Sequence, residues 1–85
     1  MIITSKTPKL DLHHEIGSMV ESLVNEFILD NYKMHQNVII IIHGISGKVV
    51  KTRLYEVLSE NKLVEKYYVD NWNIGQTIVE LKTRP

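Results

Sequence analysis

One stretch constrains this chain more than any other: Val38-Ile39-Ile40-Ile41-Ile42 is β-branched at every position. Branching at Cβ stiffens the side chain and favours extended backbone. The run does not alternate with polar residues, so it predicts a strand covered on both faces, as at the centre of a parallel sheet. Its five residues are far short of the ~20 that a membrane-spanning helix needs. An amphipathic helix precedes it. Ile16, Met19, Val20, Leu23, Val24, Phe27 and Ile28 recur at three- and four-residue spacing and build one apolar stripe. Glu15 suits the positive end of that helix. Asp30-Asn31-Tyr32-Lys33 should end it, because Asp and Asn favour turns.

The remaining elements follow the same logic. Lys9 to His13 alternates around Leu10 and Leu12 and reads as a short strand. Residues 1–8 are a tail or short edge segment, since Pro8 cannot donate to a ladder. Val50, Leu54, Val57 and Leu58 share one face of a second helix ending near Asn61, a residue suited to a left-handed C-terminal position. Leu63 to Val69 and Thr77 to Leu81 read as strands joined as an antiparallel hairpin through residues 70–76. Trp72, in that connection, is expected to close the sheet edge, with base stacking as its functional alternative. The order is β-α-β-α-β-β, an α/β fold with residues 9–85 as one domain. At 85 residues the chain supports a single modest core, burying ~60% of its unfolded surface. A strand-helix-strand unit with parallel strands is right-handed, and ligands of such sheets sit outside the carboxyl ends of the strands.

Two short motifs fall at that edge: Leu10-Asp11-Leu12-His13 and Ile42-His43-Gly44. Asp11 and His13 are two apart on a strand and share a face, where a carboxylate can orient an imidazole for acid–base work. The bland alternative is a solvated strand end. His43 can contact a phosphate or transfer a proton, or simply cap its strand through backbone hydrogen bonds. Gly44-Ile45-Ser46-Gly47-Lys48 leads into a helix whose N-terminal amides can hold a phosphate. It lacks the spacing of a Walker loop, and Ser46 is equally suited to a plain N-cap. Lys48, Lys51 and Arg53 add local positive charge, as any solvated helix face can. His35 is expected to be solvated in a loop.

Charge and composition narrow the partners. Ten basic residues balance ten acidic ones, so any nucleic-acid contact must come from a local patch. Without cysteine there are no disulfides or thiolate metal sites. His13 and His14 should point to opposite sides of an extended chain, and no HExxH motif occurs, so no structural metal is expected. The residues call for no cofactor, with divalent magnesium left open. The start lacks the apolar core of a signal peptide, which makes a soluble cytoplasmic protein without a membrane partner the expectation.

Together these motifs resemble those of the small MutS-related (Smr) domain family. That family carries Leu-Asp-Leu-His-Gly on an early strand, His-Gly-x-Gly after a later one, and Gly-x-Thr before an apolar strand. The matches here are Leu10 to His13, His43-Gly44, and Gly75-Gln76-Thr77 with Ile78, Val79 and Leu81, spanning about residues 9–82. The resemblance implies a two-layer sandwich with a mixed four-stranded sheet, like the C-terminal domain of translation initiation factor three. It implies nucleic-acid binding, DNA or RNA, often with DNA-nicking or RNA endonuclease activity. On that reading Asp11, His13 and His43 are catalytic, and Gly44, Ser46, Gly47, Lys48 and Lys51 hold the phosphate. The alternatives are a noncatalytic adaptor for RNA, a ribosome or a protein, and the C-terminal domain of a larger MutS-like ATPase. This chain departs from the pattern at four places. His14 replaces the glycine of the first motif, Ser46 the second glycine of His-Gly-x-Gly, Lys48 the glycine expected two residues later, and Lys51 stands at best where an arginine is usual. Lysine lacks the bidentate fork of arginine.

Overall fold

The β-branched run does become an internal strand. A computed structural model describes residues 3–85, and the elements follow the expected order: β1 Lys9–Asp11, α1 Gly17–Lys33, β2 Val38–Ile42, α2 Lys48–Glu60, β3 Val64–Asp70 and β4 Asn73–Leu81. They form one four-stranded sheet in the order β1-β2-β4-β3. β1 is parallel to β2, and β4 is antiparallel to both β2 and β3. β1, β2 and β3 therefore all run the same way, and their carboxyl ends share an edge with the start of β4. Of the expected tail, Met1 and Ile2 lie outside the described residues. Thr4 to Thr7 closes a turn, with the Thr7 N–H donating to Thr4 O at 3.1 Å.

Both helices pack on one face of the sheet. Val20, Val24 and Ile28 from α1 meet Val50, Leu54, Val57 and Leu58 from α2 over Ile39, Ile41, Val79 and Leu81. Each such side chain contributes roughly 1.5–3 kcal/mol on burial. β2 is nonetheless buried on both faces. Ile40 is only 1% exposed although it points away from the helices, opposite Ile78 in the β2–β4 register. That second burial explains why the run is continuous in a two-layer fold.

The helix ends differ from expectation in instructive ways. α1 starts at Gly17, one residue after Ile16, so Glu15 lies outside its first turn. At the other end Asn31 does not break the helix. It is buried, and its Nδ2 donates to the Phe27 carbonyl at 2.8 Å. α1 closes instead at His35, with φ of 61°. The His35 N–H donates to Tyr32 O and the Gln36 N–H to Asn31 O, the paired bonds of a Schellman cap. Asn61 is extended rather than left-handed. Its amide ties α2 to α1 through Asn25 Oδ1 at 2.9 Å, and its own Oδ1 accepts the Leu63 N–H.

Candidate functional site

β1 stops at Asp11, two residues earlier than its alternation suggests, and Leu12 to Glu15 forms a turn closed by the Glu15 N–H on Leu12 O at 2.9 Å. This turn, not the pleat, brings Asp11 and His13 together. Asp11 Oδ1 accepts the His13 main-chain N–H at 3.0 Å and also receives His13 Nδ1–H. Both side chains are about half exposed. The other ring nitrogen, Nε2, has no protein partner among the described residues. The hydrogen bond from His13 holds the Asp11 carboxyl below its ordinary value of 3.8. His14 does not point to the opposite side: its ring lies against that of His13, with centroids 3.7 Å apart.

The second motif meets the first at the same edge. Gly44 adopts a φ of +83°, a conformation only glycine takes without strain, and a Cβ there would lie 3.3 Å from the Cβ of His13. Gly47 is needed for a different reason. A Cβ on it would come within 2.7 Å of the His43 carbonyl oxygen. Gly47 thus packs against its own turn, and the side chain at Ser46 is exposed. Ser46 is not the N-cap. That position belongs to Gly47, without a side-chain cap bond.

His43 is where the structure departs most from the expected acid–base group. It is completely buried. A carbonyl cannot donate, so Nδ1–H donates to Gly44 O at 2.9 Å, and Nε2 must accept from Thr77 Oγ1 at 2.9 Å. Thr77 Oγ1 in turn accepts from the Tyr55 hydroxyl at 2.9 Å. Both ring nitrogens are occupied inside the protein, so His43 does not face a substrate. The main-chain N–H groups of His43 and Gly44 both donate to Gly75 O, at 3.0 and 2.9 Å, so the Gly44 amide does not face a phosphate either. Tyr55 and Thr77 are the partners that sequence reasoning missed. Thr77 stood in a noted motif, but nothing in the sequence pairs it with a histidine 34 residues earlier.

Basic side chains border this edge unevenly. Lys48 is exposed at the start of α2, and the Lys51 ammonium sits 5.7 Å from the centre of the Tyr55 ring. Arg53 is occupied. It binds Glu21 of α1 at 2.7 Å and Glu56 at 3.7 Å, so it joins the helices instead of adding to a basic patch. A groove of about 550 Å³ between the helix starts is lined by Gly17, Lys48, Val49 and Thr52. The Asp11–His13 pair lies outside it. Among the described residues no group of three or more His, Asp or Glu side chains is placed to hold a metal ion, and no helix is long and apolar enough to cross a membrane.

The Smr domain model matches residues 10–82. The chain belongs to the Smr domain family. The crystal structure of the Smr domain of Thermus thermophilus MutS2 superposes with a TM-score of 0.84 at 18% identity, covering 89% of this chain and 99% of that one. The crystal structure of YdaL, a stand-alone small MutS-related protein from Escherichia coli, superposes at 0.83 with 21% identity, covering 93% of this chain and 70% of that one. At these identities the likeness is one of fold: a two-helix layer on a mixed four-stranded sheet. No curated protein matches the sequence.

Proposed function

We propose that this Smr domain binds nucleic acid across the carboxyl edge of its parallel strands and cleaves a phosphodiester there. The observation that carries the proposal is the Asp11–His13 pair. A carboxylate grips both the main-chain N–H and the Nδ1–H of one exposed histidine, which sets its tautomer and leaves Nε2 outward. An imidazole held in this way is suited to general-base chemistry. His13 Nε2 takes the proton from the attacking water or ribose hydroxyl as the new O–P bond forms, and the P–O bond to the leaving oxygen breaks, that oxygen taking its proton from solvent water. Lys48 and Lys51 supply charge toward the phosphate. His43 and Gly44 act as positioning residues: the Tyr55–Thr77–His43 chain holds the Gly44 turn, and that turn packs on His13. A cytoplasmic setting belongs to the same proposal.

A binding-only reading is favoured by one observation. The His43 and Gly44 amides are spent on Gly75 O, which leaves fewer donors for a developing phosphorane. On that reading the domain is an adaptor for RNA, such as a ribosomal surface. Incubating the protein with end-labelled single-stranded RNA and with nicked and branched DNA, with and without magnesium, separates the two. Cleavage that disappears in His13→Ala supports the nuclease. Retention of labelled nucleic acid without any new fragment supports the adaptor, and failure to bind any of them removes both.

A further inference from the structure

Trp72 does not close the sheet edge. It is 97% exposed, although leaving a whole indole in water forfeits the burial that other large apolar side chains gain. Nothing in the fold requires it. The β3–β4 hairpin is held by other side chains. Asp70 Oδ1 accepts the Trp72 main-chain N–H at 2.9 Å, Asn73 Oδ1 accepts the Gly75 N–H at 3.1 Å, and Gln76 Nε2 donates to Asp70 Oδ2 at 2.9 Å. The tip is therefore ordered independently of the indole.

The hairpin's irregularity aims it. Val69 pairs with Thr77, yet Asp70 pairs with Asn73, so Ile74, Gly75 and Gln76 are extra residues on β4. Bulges of this kind bend a strand and re-aim its side chains. The same extra residues reach the second motif, since Gly75 O accepts the His43 and Gly44 N–H groups. Trp72 lies three residues before Gly75, at most about 11 Å along the chain. The hairpin tip that carries Trp72 thus lies at the same end of the sheet as the Asp11–His13 turn.

We propose that Trp72 is a stacking platform for an unpaired base of the nucleic acid whose backbone crosses that edge. The substrate class is then nucleic acid with single-stranded character near the site: a loop, a bulge or a flap. The inference rests on the nucleic-acid reading above and makes it more specific. Stacking suits this chain because it supplies affinity without charge, and the chain has no net charge to supply. Bases inside a continuous duplex are already stacked and offer no such face. The competing occupant is a protein seated on the exposed Trp72, Ile74 and Ile45 side chains.

Trp72 is the sole tryptophan, so its intrinsic fluorescence reports contact directly. The probes are a labelled oligouridylate and a blunt duplex of the same length, with affinity read separately by anisotropy. The expected result is quenching by the oligouridylate and a roughly 10-fold loss of single-strand affinity in Trp72→Ala, with Trp72→Phe keeping most of it. Duplex affinity should stay unchanged, as should the urea midpoint of each variant. Single-strand binding without quenching, equally tight in Trp72→Ala, would overturn the stacking role and leave nucleic-acid binding standing; Trp72 would then be a protein contact. Absence of oligouridylate binding would overturn the stacking role, and absence of binding to nicked and branched DNA as well would overturn the nucleic-acid reading.

Discussion

At the scale of single residues, two histidines that look alike in sequence divide into different tasks. His13 is exposed with one nitrogen held by Asp11, whereas His43 is buried with both nitrogens bonded. The difference was not legible because each follows an apolar strand and a short motif. Only the antiparallel pairing of β2 with β4 places Thr77 against His43. Thr77→Val leaves the His43 Nε2 and the Tyr55 hydroxyl without their partner, so it should destabilise the fold by about 1–3 kcal/mol in urea unfolding. Gly47→Ala should cost a similar amount, about 1–3 kcal/mol, by driving a methyl group onto the His43 carbonyl. Asp11 titrates below its ordinary value of 3.8 because His13 donates to its ionised form. The sign follows: that contribution is present above 3.8 and is lost as pH falls through the lower folded value. A carboxyl-carbon NMR titration should place the Asp11 midpoint below 3.8, and His13→Ala should bring it back.

At the scale of elements, apolar spacing and the β-branched run located both helices and all four strands, because these are local properties. The ends were less legible, because caps depend on which groups meet in space. Asn31 reads as a breaker but pairs with its own helix, while His35 reads as an ordinary loop residue yet supplies the left-handed turn that closes α1. A β-carbon in that conformation is strained, so His35→Gly should stabilise the protein by about 0.5–1 kcal/mol. Calorimetry should show a rise of several degrees in Tm. The bulge in β4 was equally hidden. The polar stretch from Asp70 to Gln76 reads as a loop, whereas Asn73 onward is already strand, paired with β2 rather than with β3 at Gln76. Those residues carry the link between the hairpin and the Gly44 turn.

At the scale of the whole molecule, parallel β1, β2 and β3 deliver the Asp11–His13 turn, the Gly44 turn and the tip of the β3–β4 hairpin to one edge. Helices cover one face of the sheet. The balanced charge leaves Lys48 and Lys51 as the local cations of the site, with Arg53 already paired. Two phosphate contacts should give a shallow salt dependence: for a single strand the slope of log K against log salt is roughly −0.7 per contact, or about −1.4 in total. A slope several times steeper would mean that a larger basic surface is at work. We propose an aspartate-oriented His13, and not the buried His43, as the acid–base group of this edge. This assignment is tested most directly by the rate of cleavage of an end-labelled nucleic acid by the parent chain and by His13→Ala at saturating protein. A fall of about 100-fold or more in rate is expected, with binding retained. Cleavage by His13→Ala at the parent rate would contradict it.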